Sequence, residues 1–190
     1  EAAKEGARDG APYQVAAVSQ DGKLYAVGGQ SGGKHAVIVR DRESGQVVAT
    51  LVGHTAAVTA IAFDKGGNRL ISGSADKTSR IWKLDGGAAE LFKHEGYPGA
   101  VLGVALSDDA TVAFSTGSEN VIRQWTVADG AEVRSIAGHG GVVQGLIVRG
   151  AILISASDDG MVRQWNTGNG AAVRSMNHGG NLRCVAVSVD

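Results

Sequence analysis

Arg69-Leu70-Ile71-Ser72-Gly73-Ser74-Ala75-Asp76-Lys77-Thr78-Ser79-Arg80-Ile81-Trp82 holds two short apolar runs on either side of a small polar turn. Each run is too short for a helix, and the second alternates polar with apolar side chains, so both read as β-strands. The pattern recurs. Val121-Ile122-Arg123-Gln124-Trp125 and Met161-Val162-Arg163-Gln164-Trp165 repeat the strand that ends in tryptophan, at spacings of 43 and 40 residues. A serine stands ten residues before each tryptophan (Ser72, Ser115, Ser155), and an acid stands six before it (Asp76, Glu119, Asp159).

Outward from these strands, each tryptophan is followed by a turn signal: Asp85-Gly86-Gly87, Asp129-Gly130 or Asn169-Gly170. Such pairs favour tight hairpins because their backbones tolerate positive φ. A further short strand follows, as in Glu132-Val133-Arg134-Ser135-Ile136, and an apolar strand opens each unit, as in Val58–Phe63, Val101–Leu106 and Val142–Val148. Every unit therefore has four strands. Nothing in the chain sustains a helical period.

An earlier unit lies at 12–53, with Gly29 and Val39 in the places of serine and tryptophan. The remaining units are 54–93, 94–137 and 138–177, and the opening strand of another, Leu182–Val187, falls within 178–190. Residues 1–11, small and charged, read as a tail or linker. The expected fold class is all-β, built from one repeated sheet.

Composition narrows the function classes. Eighteen basic and nineteen acidic side chains give a net charge of -1, so the whole-chain field draws in neither phosphate backbones nor anionic lipid. Nucleic acid and membrane are therefore not expected partners. Cys184 is alone and cannot form an internal disulfide, and its apolar neighbours predict a buried, inert thiol. No apolar run approaches the ~20 residues of a membrane helix, and the chain reads as cytoplasmic. It opens at Glu1 without a secretory leader, which reads as a processed or excised piece.

Glycine-histidine or a near equivalent joins the units at Gly53-His54, Gly138-His139 and Asn177-His178. With histidine, serine, acid and tryptophan recurring every 40 to 43 residues over four strands, residues 12–190 resemble the WD40-repeat family, whose units are blades of a β-propeller. The resemblance implies a buried hydrogen-bonded network in each blade. His54, Ser72, Asp76 and Trp82 match it in one blade, and His139, Ser155, Asp159 and Trp165 in another. In the third unit His94, Ser115, Glu119 and Trp125 take those places, with His94 displaced three residues by Glu95-Gly96-Tyr97-Pro98-Gly99, so a degraded network is expected there. Four blades and one strand leave sheet edges open, which predicts an arc of a larger ring completed by further sequence or by another chain.

Chemical motifs have bland explanations. Gly28-Gly29-Gln30-Ser31-Gly32-Gly33-Lys34-His35 follows a strand like a phosphate loop, but His35 replaces the magnesium-binding hydroxyl and a strand follows where a helix is needed. It reads as a turn between strands two and three. The same stretch lacks the helix and the placed partners of a serine nucleophile elbow. The five histidines are scattered, so no metal site or cofactor is expected. Arg80, Arg123 and Arg163 read as stems packed between blades with solvated heads.

The expected function is a non-catalytic scaffold that presents a rigid propeller face to protein or peptide partners. Tyr97, in a loop stiffened by Pro98, is the foremost candidate contact, and the resemblance to the family places it on the face bearing the Gly-His connections, along with Lys77 and Asn120 in the turns between second and third strands. The alternatives are a propeller enzyme of hydrolase or lactonase type, which would need acids and histidines converging on one pocket, or an architectural domain of a large assembly.

Overall fold

A computed structural model describes residues 14–187. Sixteen strands form four separate sheets among these residues, each a four-stranded antiparallel meander in sequence order. The first sheet holds β1 (Val15–Val18), β2 (Leu24–Ser31), β3 (Lys34–Asp41) and β4 (Val47–Val52). The second holds β5 (Val58–Phe63), β6 (Arg69–Ser74), β7 (Ser79–Lys83) and β8 (Ala89–His94). The third holds β9 (Gly103–Leu106), β10 (Val112–Thr116), β11 (Ile122–Thr126) and β12 (Glu132–Ile136), and the fourth β13 (Val143–Arg149), β14 (Ile152–Ser157), β15 (Met161–Asn166) and β16 (Ala172–Asn177). The expected tail at 1–11 lies outside the described residues. Among those described there is no helix long and apolar enough to cross a membrane.

The sheets stack face to face as blades. The first strand of each packs on the first strand of the next, β1 on β5, β5 on β9 and β9 on β13, so these strands line the axis. Close approach there demands small residues. A Cβ on Gly73 would fall 2.5 Å from Cγ1 of Val101, and glycine alone lets the second and third blades meet. Three apolar clusters fill the three seams, with Trp82 between blades one and two, Trp125 between two and three, and Trp165 between three and four. Polar bonds cross the same seams: the Val101 amide donates to Ser74 O at 3.0 Å, and the Arg69 guanidinium to Ala110 O at 2.8 Å.

The structure moves the repeat positions of the first blade, by one residue in the third strand and by two in the second. In blades two to four a bulge in the third strand falls just before the tryptophan, between Ile81 and Trp82 for example. In the first blade it falls between Val39 and Arg40. Arg40 thus occupies the tryptophan place, and Val27 that of the serine, rather than Val39 and Gly29. The cause is the β2–β3 hairpin, whose strands run eight residues each to a tip of Gly32 and Gly33 at φ of 56° and 75°. The phosphate-loop-like stretch is this hairpin.

Two further expectations are corrected. His94 ends β8, so the second blade runs one residue past the expected boundary at 93. Leu182–Val187 forms no strand. The segment does lie along the fourth blade, with the Leu182 amide donating to Ser157 O at 3.2 Å and Cys184 against Gly145, but among the described residues no second strand pairs with it. Cys184 is consequently exposed rather than buried.

Candidate interaction face and its buried networks

In the second and fourth blades the entering loop and the turn between the second and third strands meet at one end of the molecule, because a buried network ties one to the other. In the second blade the His54 imidazole is enclosed between the entering loop and β6, with Nδ1 2.9 Å from Asp76 Oδ2 and Nε2 2.8 Å from Ser72 Oγ. Ionised Asp76 only accepts, so Nδ1 carries the proton, Nε2 accepts from the Ser72 hydroxyl, and Ser72 Oγ in turn accepts the Trp82 indole N–H at 2.8 Å. Every polar atom of this buried relay is thereby satisfied. Asp76 also accepts from the Thr55 amide at 2.9 Å and the Thr78 hydroxyl at 2.7 Å, which fastens the entering loop to the β6–β7 turn.

The electrostatics follow from burial and hydrogen bonding. Burial holds His54 below its ordinary pKa against the pull of Asp76, so the imidazole is neutral at pH 7. Burial opposes the charge on Asp76, but the Thr78 hydroxyl, the Thr55 amide and His54 outweigh it and hold the carboxyl at about 2. The fourth blade repeats the arrangement. His139 Nδ1 lies 2.9 Å from Asp159 Oδ2 and Nε2 2.7 Å from Ser155 Oγ, which accepts the Trp165 indole N–H at 2.8 Å. Asp159 is likewise held at about 2, its burial overcome by the Gly140 amide, His139 and the Met161 amide.

Ser72, His54 and Asp76 have the hydrogen-bond order of a hydrolytic triad. Ser72 is fully buried, however, and its oxygen is shared with an indole N–H, so no substrate carbonyl can approach it.

The third blade departs from the expectation in an instructive way. Tyr97 is only 4% exposed, so it is no surface contact. It stands 18 residues before Ser115, as His54 stands 18 before Ser72, and takes the histidine's place. Its hydroxyl lies 2.5 Å from Ser115 Oγ, which accepts the Trp125 indole N–H at 3.1 Å, and 3.0 Å from Ser79 Oγ on β7 of the second blade. The phenol is longer than an imidazole, so the relay crosses the seam. Burial pushes the Tyr97 hydroxyl above its ordinary pKa.

His94 therefore has another position. It stands where the first and third blades carry Leu51 and Ile136, and its ring stacks on Trp125 at 5.2 Å. Its Nε2 is buried without a hydrogen bond, and burial lowers its pKa. Glu119 does not bond His94. It accepts instead from Arg123 Nε at 2.9 Å, and Arg123 also reaches Glu132 at 3.3 Å and lies over the Tyr97 ring. The arginine heads are paired rather than free in solvent: Arg80 meets Glu90 at 2.5 Å and Arg163 meets Asp159 at 3.6 Å. The signal for Tyr97, missed in sequence, was its 18-residue spacing.

Lys77 and Asn120 occupy equivalent turns on this end, and both are exposed. Lys77 sits at a φ of 66°, and the Asn120 amide donates to His139 O at 3.1 Å, which joins the third blade to the fourth. Among the described residues no group of three histidine, cysteine or acidic side chains is placed to hold a metal ion.

Comparison with known proteins adds to this geometry. Residues 45–83 and 130–166 match the family model described as WD domain, G-beta repeat. The chain is 31% identical over 98 residues to pre-mRNA-splicing factor cwf17 of Schizosaccharomyces pombe, a match covering 52% of this chain and 29% of that protein. It is 32% identical over 133 residues to the periodic tryptophan protein 2 homolog of the same yeast, covering 67% and 14%. It is 31% identical over 112 residues to cell division control protein 4 of Candida albicans, covering 58% and 16%. Each match thus spans less than a third of the relative's length.

Proposed function

We propose that this chain, which belongs to the WD40-repeat family of β-propeller proteins, is a non-catalytic platform that binds protein or peptide partners on the face carrying its entering loops. The observation that carries this reading is the way the loops are fixed. Asp76 and Asp159 each pin an entering loop to a turn, Asn120 pins the third blade to the fourth, and Tyr97 joins the second to the third. A partner meeting pre-ordered loops loses little to their ordering, so modest contacts suffice for affinity.

Lys77 and Asn120 are the contacts assigned to the partner, since both are exposed above the networks. Tyr97 supports that surface from below. The paired arginines leave no basic track of the kind that follows a phosphate backbone, which favours a protein partner over a nucleic acid.

The test is quantitative capture of interacting proteins by the wild type, by Lys77→Glu with Asn120→Arg, and by the control Lys65→Glu at the opposite end. Loss of a reproducible set of proteins in the first variant alone supports the platform. Equal capture by all three overturns the assignment of this face.

A further inference from the structure

The turn that joins β15 to β16 stands at the end of the molecule opposite the proposed partner face, and it carries Asn169-Gly170, the one place in the chain where glycine follows asparagine. Asparagine also occurs at 68, 120, 166, 177 and 181, where Arg69, Val121, Thr167, His178 and Leu182 follow. A Cβ shields a residue's own backbone nitrogen from the preceding side chain, and glycine has none. Asn169 is exposed, and its Oδ1 accepts the Ala171 amide at 2.9 Å, an arrangement that curls the side-chain carbonyl around Gly170.

We propose that Asn169 is a deamidation site whose aspartate product the fold accepts. The Gly170 nitrogen gives up its proton and bonds to Cγ of Asn169, the bond from Cγ to the side-chain nitrogen breaks, and ammonia leaves. Water then opens the resulting succinimide ring at one of its two carbonyls, which leaves aspartate or isoaspartate at 169.

The turn itself governs the step. The Gly170 amide donates to Asn166 O at 2.8 Å, and Asn166 Oδ1 accepts the Gly168 amide at 2.9 Å and the Asn169 amide at 3.1 Å. Asn166 therefore restrains the attacking nitrogen, and attack waits on local opening of this exposed turn. The product has a precedent in the third blade. Asp129 stands at the equivalent turn, where its Oδ1 accepts the Ala131 amide at 3.0 Å, and Gly130 and Gly170 have φ of 69° and 73°. Arg134 of the third blade, its Cδ 3.1 Å from the place of a Cβ on Gly170, sets a cation near the new carboxylate. Aspartate at 169 thus keeps the turn, whereas isoaspartate adds a backbone atom between 169 and 170 and disturbs the pairing of Trp165 with Ala172.

The test incubates the full chain at mildly alkaline pH in water enriched in oxygen-18 and follows each asparagine by peptide mass spectrometry. Asn169 is expected to convert ahead of the other five asparagines, with oxygen-18 incorporated, and to give a larger fraction of aspartate than the peptide Gln164–Arg174 does free in solution. Asn166→Ala, which removes two of the restraining bonds, should speed conversion about fivefold. Earlier conversion of another asparagine, no conversion of Asn169 in the folded chain, an aspartate fraction no larger than in the free peptide, or an unaltered rate in Asn166→Ala would overturn the proposal.

Discussion

The hydroxyl of Tyr97 lies 3.0 Å from Ser79 Oγ, so a side chain from the loop entering the third blade is bonded to a strand of the second. Blades two and four close their relays internally through histidine. Tyr97→Phe keeps the ring and removes the bridge, leaving Ser79 and Ser115 fully buried with fewer partners. The expected loss is about 1 to 3 kcal/mol of unfolding free energy, measured by urea denaturation. A change below about 0.5 kcal/mol would show that the bridge contributes nothing.

Asp76 and Glu119 occupy the same place in the repeat but not the same chemistry. Asp76 holds a buried imidazole and a loop amide, whereas Glu119 makes a partly exposed ion pair with Arg123. Asp76→Ala should therefore lower the melting temperature by more than Glu119→Ala, with losses of about 2 to 4 kcal/mol against less than about 1 kcal/mol. The reverse order would contradict the placement of the two networks.

Stability should fall on acidification in two stages. His54, His94 and His139 have folded pKa values depressed chiefly by burial, so the unfolded chain takes up their protons first. Their contribution is complete above about pH 6.5 and is lost as the pH falls through the lower folded values. Asp76 and Asp159, at about 2 when folded against 3.8 otherwise, add stability above pH 4 that is lost between about 4 and 2. Melting temperatures from pH 8 to 3 test this; a flat profile from pH 7 to 5 would exclude the histidine stage.

Lys77 and Gly160 lie at equivalent turns with φ of 66° and 77°. Lys77 is exposed and carries a β-carbon in a region that suits glycine, so Lys77→Gly should stabilise by about 0.5 to 1 kcal/mol. A Cβ on Gly160 would sit 3.0 Å from Gly180 O, so Gly160→Ala should destabilise by at least about 1 kcal/mol. Equal effects of the two substitutions, by thermal melting, would refute the shared turn geometry.

Much of this was legible in the sequence, and what was not has physical causes. The Ser72, Asp76 and Trp82 offsets located β6 and β7 because strand pairing fixes which residues face one another. In the first blade the repeat positions depart from the expected ones by one residue in the third strand and two in the second, because a longer hairpin shifts the bulge without changing the alternation of valines. Tyr97 has the chemistry of a surface anchor, and only its 18-residue distance from Ser115 marks it as the occupant of the histidine's place. Leu182–Val187 has the composition of a strand, but a ladder needs a partner, which no pattern of apolar residues supplies.

The contact at the blade seams tests the radial arrangement most directly. Cross-peaks from the nuclear Overhauser effect between the Gly73 α-protons and the Val101 methyls, and between those of Gly28 and Val58, report on two successive seams. The account predicts strong cross-peaks at both, together with the cross-strand signals within each sheet. Intact signals between Ile71 and Ile81 on β6 and β7 with none at either seam would mean that the four sheets fold but do not stack, and would contradict it.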